Sequence, residues 1–75
     1  MQHIGVQIDY TPLLEKLKEK HISGYQLISY GIPQKTLYNI RNGKIITVET
    51  LAKLAYILGC EINELVRFEY DVTEE

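Results

Sequence analysis

Apolar residues alternate with polar or small ones at the two ends of the chain and recur at helical spacing between them. Ile4, Val6, Ile8 and Tyr10 share one side of residues 4–10, the period of a half-buried strand. Phe68, Tyr70 and Val72 alternate with Arg67, Glu69 and Asp71 in the same way, which predicts a second strand over about 67–72. An isolated two-stranded ribbon is marginal in water. The strands are therefore expected to pair, within one chain or between two, and to pack on the first or last helix. Exposed strand edges there favour a dimer.

Between these ends the period changes to that of helices. Thr11 followed by Pro12 reads as an N-cap and first helical residue, starting a helix to about Lys20 that buries Leu13, Leu14 and Leu17. Its charged residues, from Glu15 to Lys20, form a solvated face. Ser23 and Gln26 have capping-box spacing at the start of a second helix, 24 to about 29, with Leu27 and Ile28 inward. Gly31 supplies the φ > 0 conformation of a tight interhelical turn, and Ile32 is expected to anchor that turn in the core. A third helix runs from Gln34 to about Asn42, with Leu37 and Ile40 inward, and stops at Gly43. After a loop at 44–46, Thr47 caps a fourth helix carrying Glu49 in its first turn. Val48, Leu51, Leu54, Ala55 and Leu58 are placed in its core-facing stripe, and Gly59 ends it. Ile62, Leu65 and Val66 mark a short fifth helix, and residues 73–75 a frayed acidic tail.

The fold class expected is mainly α. It is a compact five-helix bundle with a small two-stranded β element from the termini, one domain over residues 1–75. Its apolar share of 45% is ordinary for a folded protein. No stretch approaches the ~20 apolar residues of a membrane span. The first five residues lack the regions of a signal peptide. The single cysteine, Cys60, leaves no internal disulfide to form and reads as a small buried hydrophobe. A cytoplasmic location is expected.

The net charge of −2 at first argues against a nucleic-acid partner, but its distribution reverses the inference. No Asp or Glu occurs between Glu19 and Glu49, whereas Lys20, Lys35, Arg41 and Lys44 do, so that window carries +4. Local potential governs docking more than the total does. The third helix lies inside this window. Its outer surface carries Gln34, Lys35, Thr36, Tyr38, Asn39 and Arg41, side chains that can meet base edges and phosphates in a major groove.

These residues sit in a longer run of phrases: Ile22-Ser23, Tyr25-Gln26-Leu27-Ile28, Tyr30-Gly31-Ile32, Thr36-Leu37 and Arg41-Asn42-Gly43-Lys44. They continue through Thr47, Thr50-Leu51, Leu54, Ile57-Leu58, Cys60-Glu61-Ile62 and Glu64-Leu65-Val66. In order and spacing the run resembles the Cro/lambda-repressor (Xre) type of helix-turn-helix protein, especially its small stand-alone phage- and mobile-element-like regulators. The resemblance covers about residues 10–70, with the helix-turn-helix at about 23–42. Two features depart from it. Leu27 and Gly31 enclose three residues where relatives usually have four, so the second helix is expected to be short or irregular at its exit. Pro33 stands where relatives tend to carry a Ser-like cap.

The resemblance implies a homodimer on a palindromic operator, with the reading helices about 34–36 Å apart. It assigns base contacts to Gln34, Lys35, Tyr38 and Asn39 on the third helix. Phosphate contacts fall to Ser23, Tyr25 and Gln26 at the second helix, to Thr36 and Arg41, and to Lys44 in the following loop. Tyr25 and Tyr30 also read as partly buried packing residues. No Gly-rich phosphate loop, metal-ligand spacing or catalytic constellation is evident, so no enzyme activity, metal or cofactor is expected. The function expected is sequence-specific binding of double-stranded DNA by a small transcriptional regulator, a repressor. Two alternatives stay open. One is an antitoxin-like or accessory module whose main partner is a protein held by the acidic C-terminal strand. The other is a helix-turn-helix fold that no longer binds DNA.

Overall fold

The computed structural model describes residues 2–74. The elements follow in the order β1 (Gln2–Asp9), α1 (Thr11–Glu19), α2 (Gly24–Ser29), α3 (Gln34–Arg41) and α4 (Val48–Leu58). One 3₁₀ turn (Ile62–Glu64) and β2 (Arg67–Glu74) complete the chain.

All four helices end on a residue in the left-handed region: His21, Gly31, Gly43 and Gly59, with φ between 56° and 93°. At each, two backbone amides turn back onto the last helical carbonyls. After α2, Gly31 N–H donates to the Ile28 carbonyl and Ile32 N–H to that of Leu27. After α1, His21 N–H donates to Lys18 and Ile22 N–H to Leu17 in the same pattern. This Schellman geometry satisfies carbonyls that a helix end otherwise leaves open. It also reverses the chain within two residues and delivers Ile22 and Ile32 to the core.

The helix starts are equally local. Ser23 Oγ accepts from Gln26 N–H while Gln26 Oε1 accepts from Ser23 N–H, completing the expected capping box of α2. Thr47 Oγ1 accepts from Thr50 N–H at α4. Pro33 precedes α3 with φ −63° and ψ 147° and, having no side-chain acceptor, makes no cap. At α1 the expected cap is replaced. Tyr10 stands at the N-cap position, Thr11 is already helical, and the Asp9 carboxylate accepts from both Thr11 N–H and Thr11 Oγ1. Those two hydrogen bonds hold the Asp9 carboxyl below its ordinary range, with Arg67 across the ribbon assisting. Protonating Asp9 in acid therefore removes stabilisation that is present above the unfolded pKa.

Leu13, Leu27, Ile32, Leu54, Leu58 and Leu65 are the most deeply buried side chains, joined by Tyr10, Leu37, Ile40, Ile46, Leu51, Ala55 and Val66. The start of α1 is tied to the entry of β2 by Leu13 N–H donating to the Leu65 carbonyl, 2.9 Å. Three residues expected inside are exposed: Leu14, Ile28 and Val48. Val48 is the first helical residue of α4 and points away before the stripe reaches the core. In the six-residue α2, Leu27 fills the inward position and Ile28 turns outward.

The expected fifth helix is a correction. Ile62–Glu64 makes a single 3₁₀ turn, with Glu61 N–H held by Glu64 Oε2. Leu65 and Val66 then go directly into the core and the chain leaves as β2, so no room is left for a second turn. Among the described residues the fold is four helices, that one turn and a two-stranded sheet.

β1 and β2 pair antiparallel within the chain, in register from Gln2↔Glu74 to Asp9↔Arg67. Thr73 and Glu74, expected to fray, are paired, and Gln2 Nε2 donates to Glu74 Oε1. Glu75 lies outside the described residues. Beyond Ile8 and Asp9 the strand residues are exposed on both faces, so the ribbon projects from the helical body. The molecule measures 47 × 21 × 18 Å.

His21 is the one left-handed residue that is not glycine among the described residues. Its Cβ makes that conformation costly, a penalty glycine lacks. His21→Gly is expected to raise unfolding free energy by about 0.5–1 kcal/mol, seen as a higher urea midpoint at unchanged slope.

Candidate nucleic-acid interface

Leu37 and Ile40 are the two buried residues of α3 and fix its rotation on the core. At about 100° per residue, Lys35 then lies opposite them, with Tyr38 and Asn39 equally far to either side. Lys35 and Tyr38 are exposed. Gln34 and Arg41 fall on the flank toward α2, where they share a shallow groove with Gly24, Tyr25, Ile28 and Tyr38. Thr36 and Asn39, both half-buried, fall on the other flank beside Ile45, Thr47 and Thr50. Asn42 locks the end of the helix by donating Nδ2–H to the Tyr38 carbonyl, 2.8 Å.

The α2 flank is built by a close approach. A Cβ on Gly24 would lie 3.3 Å from Arg41 Nη2 and 3.3 Å from Leu37 Cδ1. The absence of a side chain there lets the guanidinium lie against the start of α2. Tyr25, expected as a phosphate contact or as a packing residue, is 83% exposed beside it, and Tyr30 is exposed as well, so neither packs in the core. Ser23 and Gln26 spend one oxygen each on the capping box. The Ser23 hydroxyl proton and the Gln26 amide hydrogens are still donors. The surface therefore presents donors and aromatic rings from two helices, while Leu27, Leu37 and Ile40 beneath it are buried.

Lys44 extends the surface beyond α3, with Nζ 5.5 Å from the centre of the Tyr38 ring, within cation–π range. The Lys44 backbone is held from below. Tyr10, 2% exposed, donates its hydroxyl to the Lys44 carbonyl at 2.6 Å. Burial pushes the Tyr10 phenol above its ordinary pKa, partly offset by a backbone hydrogen bond in the 44–46 loop. The period-2 pattern of residues 4–10 predicts Tyr10 on the strand's inner side and gives no sign of this anchor. Its partner lies 34 residues away, and no local spacing announces it.

All ten residues singled out for DNA contact are exposed or half-buried. Six of them, Tyr25, Gln34, Thr36, Tyr38, Asn39 and Arg41, line the two flanks of α3, and Lys35 lies between those flanks. No acidic residue falls within 20–48. Such an array can accept a polyanion and hydrogen-bond to its bases. Among the described residues no cluster of His, Cys, Asp and Glu could hold a metal ion. Cys60 is half-buried against the core rather than enclosed by it. No described helix is long and apolar enough to cross a membrane.

Comparison with known proteins finds a family and a similar solved structure. The model of the Cro/C1-type HTH DNA-binding domain matches residues 13–71. The crystal structure of transcriptional regulator VanUg superposes with a TM-score of 0.79 at 15% identity, covering 89% of this chain and 91% of that one. At that identity the likeness speaks for the fold. No curated protein matches the chain.

Tyr10→Phe removes the bond to Lys44 and is expected to lower stability by about 1 kcal/mol. The folded state resists ionising Tyr10 while the unfolded chain does not. That contribution is present below the unfolded pKa and fades as pH rises through the folded one. Denaturation curves of the two proteins should therefore converge as pH is raised above 10, the ordinary value for tyrosine.

Proposed function

The chain belongs to the Cro/C1-type helix-turn-helix DNA-binding family, and on that premise we propose that it is a small, sequence-specific transcriptional repressor reading double-stranded DNA with α3 in the major groove. The observation that carries this reading is the division of α3. Two side chains anchor it, and six polar or aromatic ones face outward within a segment that holds no acid. Gln34, Lys35, Tyr38 and Asn39 meet base edges, Gln34 from the helix end that enters the groove first. Ser23, Tyr25 and Gln26 meet one stretch of phosphates, and Thr36, Arg41 and Lys44 another. The protein acts as a homodimer on a palindromic operator, as one domain in the cytoplasm, without cofactor or catalysis.

A second reading has a specific observation in its favour. The ribbon carries Glu69, Asp71 and Glu74 and exposes large apolar residues, a surface suited to a protein partner in an antitoxin-like or accessory role. Binding of DNA by the isolated chain separates the two.

Fluorescence anisotropy with random-sequence duplex DNA should give salt-sensitive binding. Arg41→Ala with Lys44→Ala should weaken every sequence alike and reduce the magnitude of the log K against log salt slope by about 2. On an operator recovered by selection, Gln34→Ala or Tyr38→Ala should cost about 1–3 kcal/mol of discrimination with little change in non-specific affinity. Absence of binding even at low salt would sink the regulator reading in favour of the second.

A further inference from the structure

We propose that the apolar face of the β1–β2 ribbon is where two copies of this chain join, ribbon packed on ribbon about a two-fold axis. This deepens the homodimeric regulator reading and rests on it for the symmetry.

The register places three cross-strand pairs on one face of the ribbon: Ile4↔Val72, Val6↔Tyr70 and Ile8↔Phe68. Alternation puts His3, Gly5, Gln7, Asp9, Arg67, Glu69, Asp71 and Thr73 on the other. The apolar face is open for most of its length, with Ile4 66% and Tyr70 67% exposed, and only Ile8 near the helical body half-buried. Val6 and Ile8 border a cleft shared with Gly43, Lys44 and Ile45, so exposed Ile45 continues the patch at the ribbon's base.

Three arguments select a second copy as the occupant. First, the pairs from residue 4 to residue 8 hold no charged side chain, and the only polar pair on that face, Gln2 with Glu74, sits at the tip bonded to itself. Such a face can meet its own image without like-charge repulsion. Joining through β2 edges instead would bring Glu69 and Asp71 toward their copies. Second, side chains of this size and exposure present roughly 600 Å² per copy, close to the ~800 Å² per partner of a standard interface. Third, a two-stranded ribbon lacks independent stability in water. Facing another ribbon gives it the second layer that its own chain does not supply.

Sedimentation equilibrium of the full chain tests this. Wild type should weigh twice the 8.7 kDa chain mass. Val6→Lys with Tyr70→Lys should raise the dimer dissociation constant about 100-fold or more while the helical circular dichroism is retained. Gln7→Lys with Thr73→Lys, on the opposite face, should leave the dimer intact. The chain has no tryptophan, so Tyr70→Trp adds a single reporter, whose emission should shift to the red on dilution in step with the fall in mass. That reporter decides the matter if the lysine variant fails to fold. A wild-type monomer at high concentration overturns the proposal. So does a dimer that survives the ribbon lysines, one that dissociates without moving the reporter's emission, or one broken instead by Tyr56→Lys on the exposed face of α4. DNA binding is read separately: a monomeric ribbon variant that still binds random duplex in a salt-sensitive way keeps the DNA reading. An intact dimer that binds no DNA sinks that reading and leaves this one standing.

Discussion

No helix in this chain holds itself together in water. Isolated helices need ~12–15 residues to be even marginally stable, and these run to 9, 6, 8 and 11. Each exists because it closes one side of a shared core, and the core exists only if the chain reverses tightly enough to return to it. The left-handed residues at 21, 31, 43 and 59 meet that condition. They turn the chain in two residues, satisfy the helix-end carbonyls and carry an apolar residue inward at 22 and 32. The order of short helix and tight reversal, four times over, is what fixes α3 against α2.

The polar surface around α3 follows from that economy. An eight-residue helix secured by Leu37 and Ile40 has most of its circumference left for solvent, and the chain fills it with amides, a hydroxyl, a phenol and two cations. Arg41 belongs to this surface because Gly24 leaves space for it, and Lys44 because Tyr10 holds its carbonyl. The positions that orient the polar residues are thus themselves buried or without side chains. Changing them would move the surface without touching any residue on it.

This distinction explains what could be read from the chain beforehand. Caps and reversals are local, so Ser23 with Gln26, Thr47, Gly31 and Gly59 announced themselves by residue type and spacing. So did the two anchors of α3 and the period-2 ends that became β1 and β2. Spacing misled where it counted apolar residues without asking how many a short helix can bury. Leu14, Ile28 and Val48 lie in apolar positions, yet α1 and α2 bury one residue each completely, Leu13 and Leu27. The fifth helix failed for a related reason: Leu65 and Val66 reach the core at the entrance to β2 rather than from a helix. The Tyr10–Lys44 bond could not be read at all, since it depends on how two distant segments meet.

The ribbon carries an acidic strand apart from the acid-free segment that holds α3. The cleft beside the α3–α4 loop is lined by Val6, Gln7 and Ile8, from β1 rather than β2. β1 carries one carboxylate, Asp9, and that group is engaged by Thr11 at the base. Glu69, Asp71 and Glu74 lie on β2, which does not line that cleft. If α3 is the docking face, as proposed, repulsion between that strand and a phosphate backbone would disfavour approaches that bring the ribbon onto DNA. The net charge of −2 is thus compatible with a nucleic-acid partner, because every acid lies outside residues 20–48.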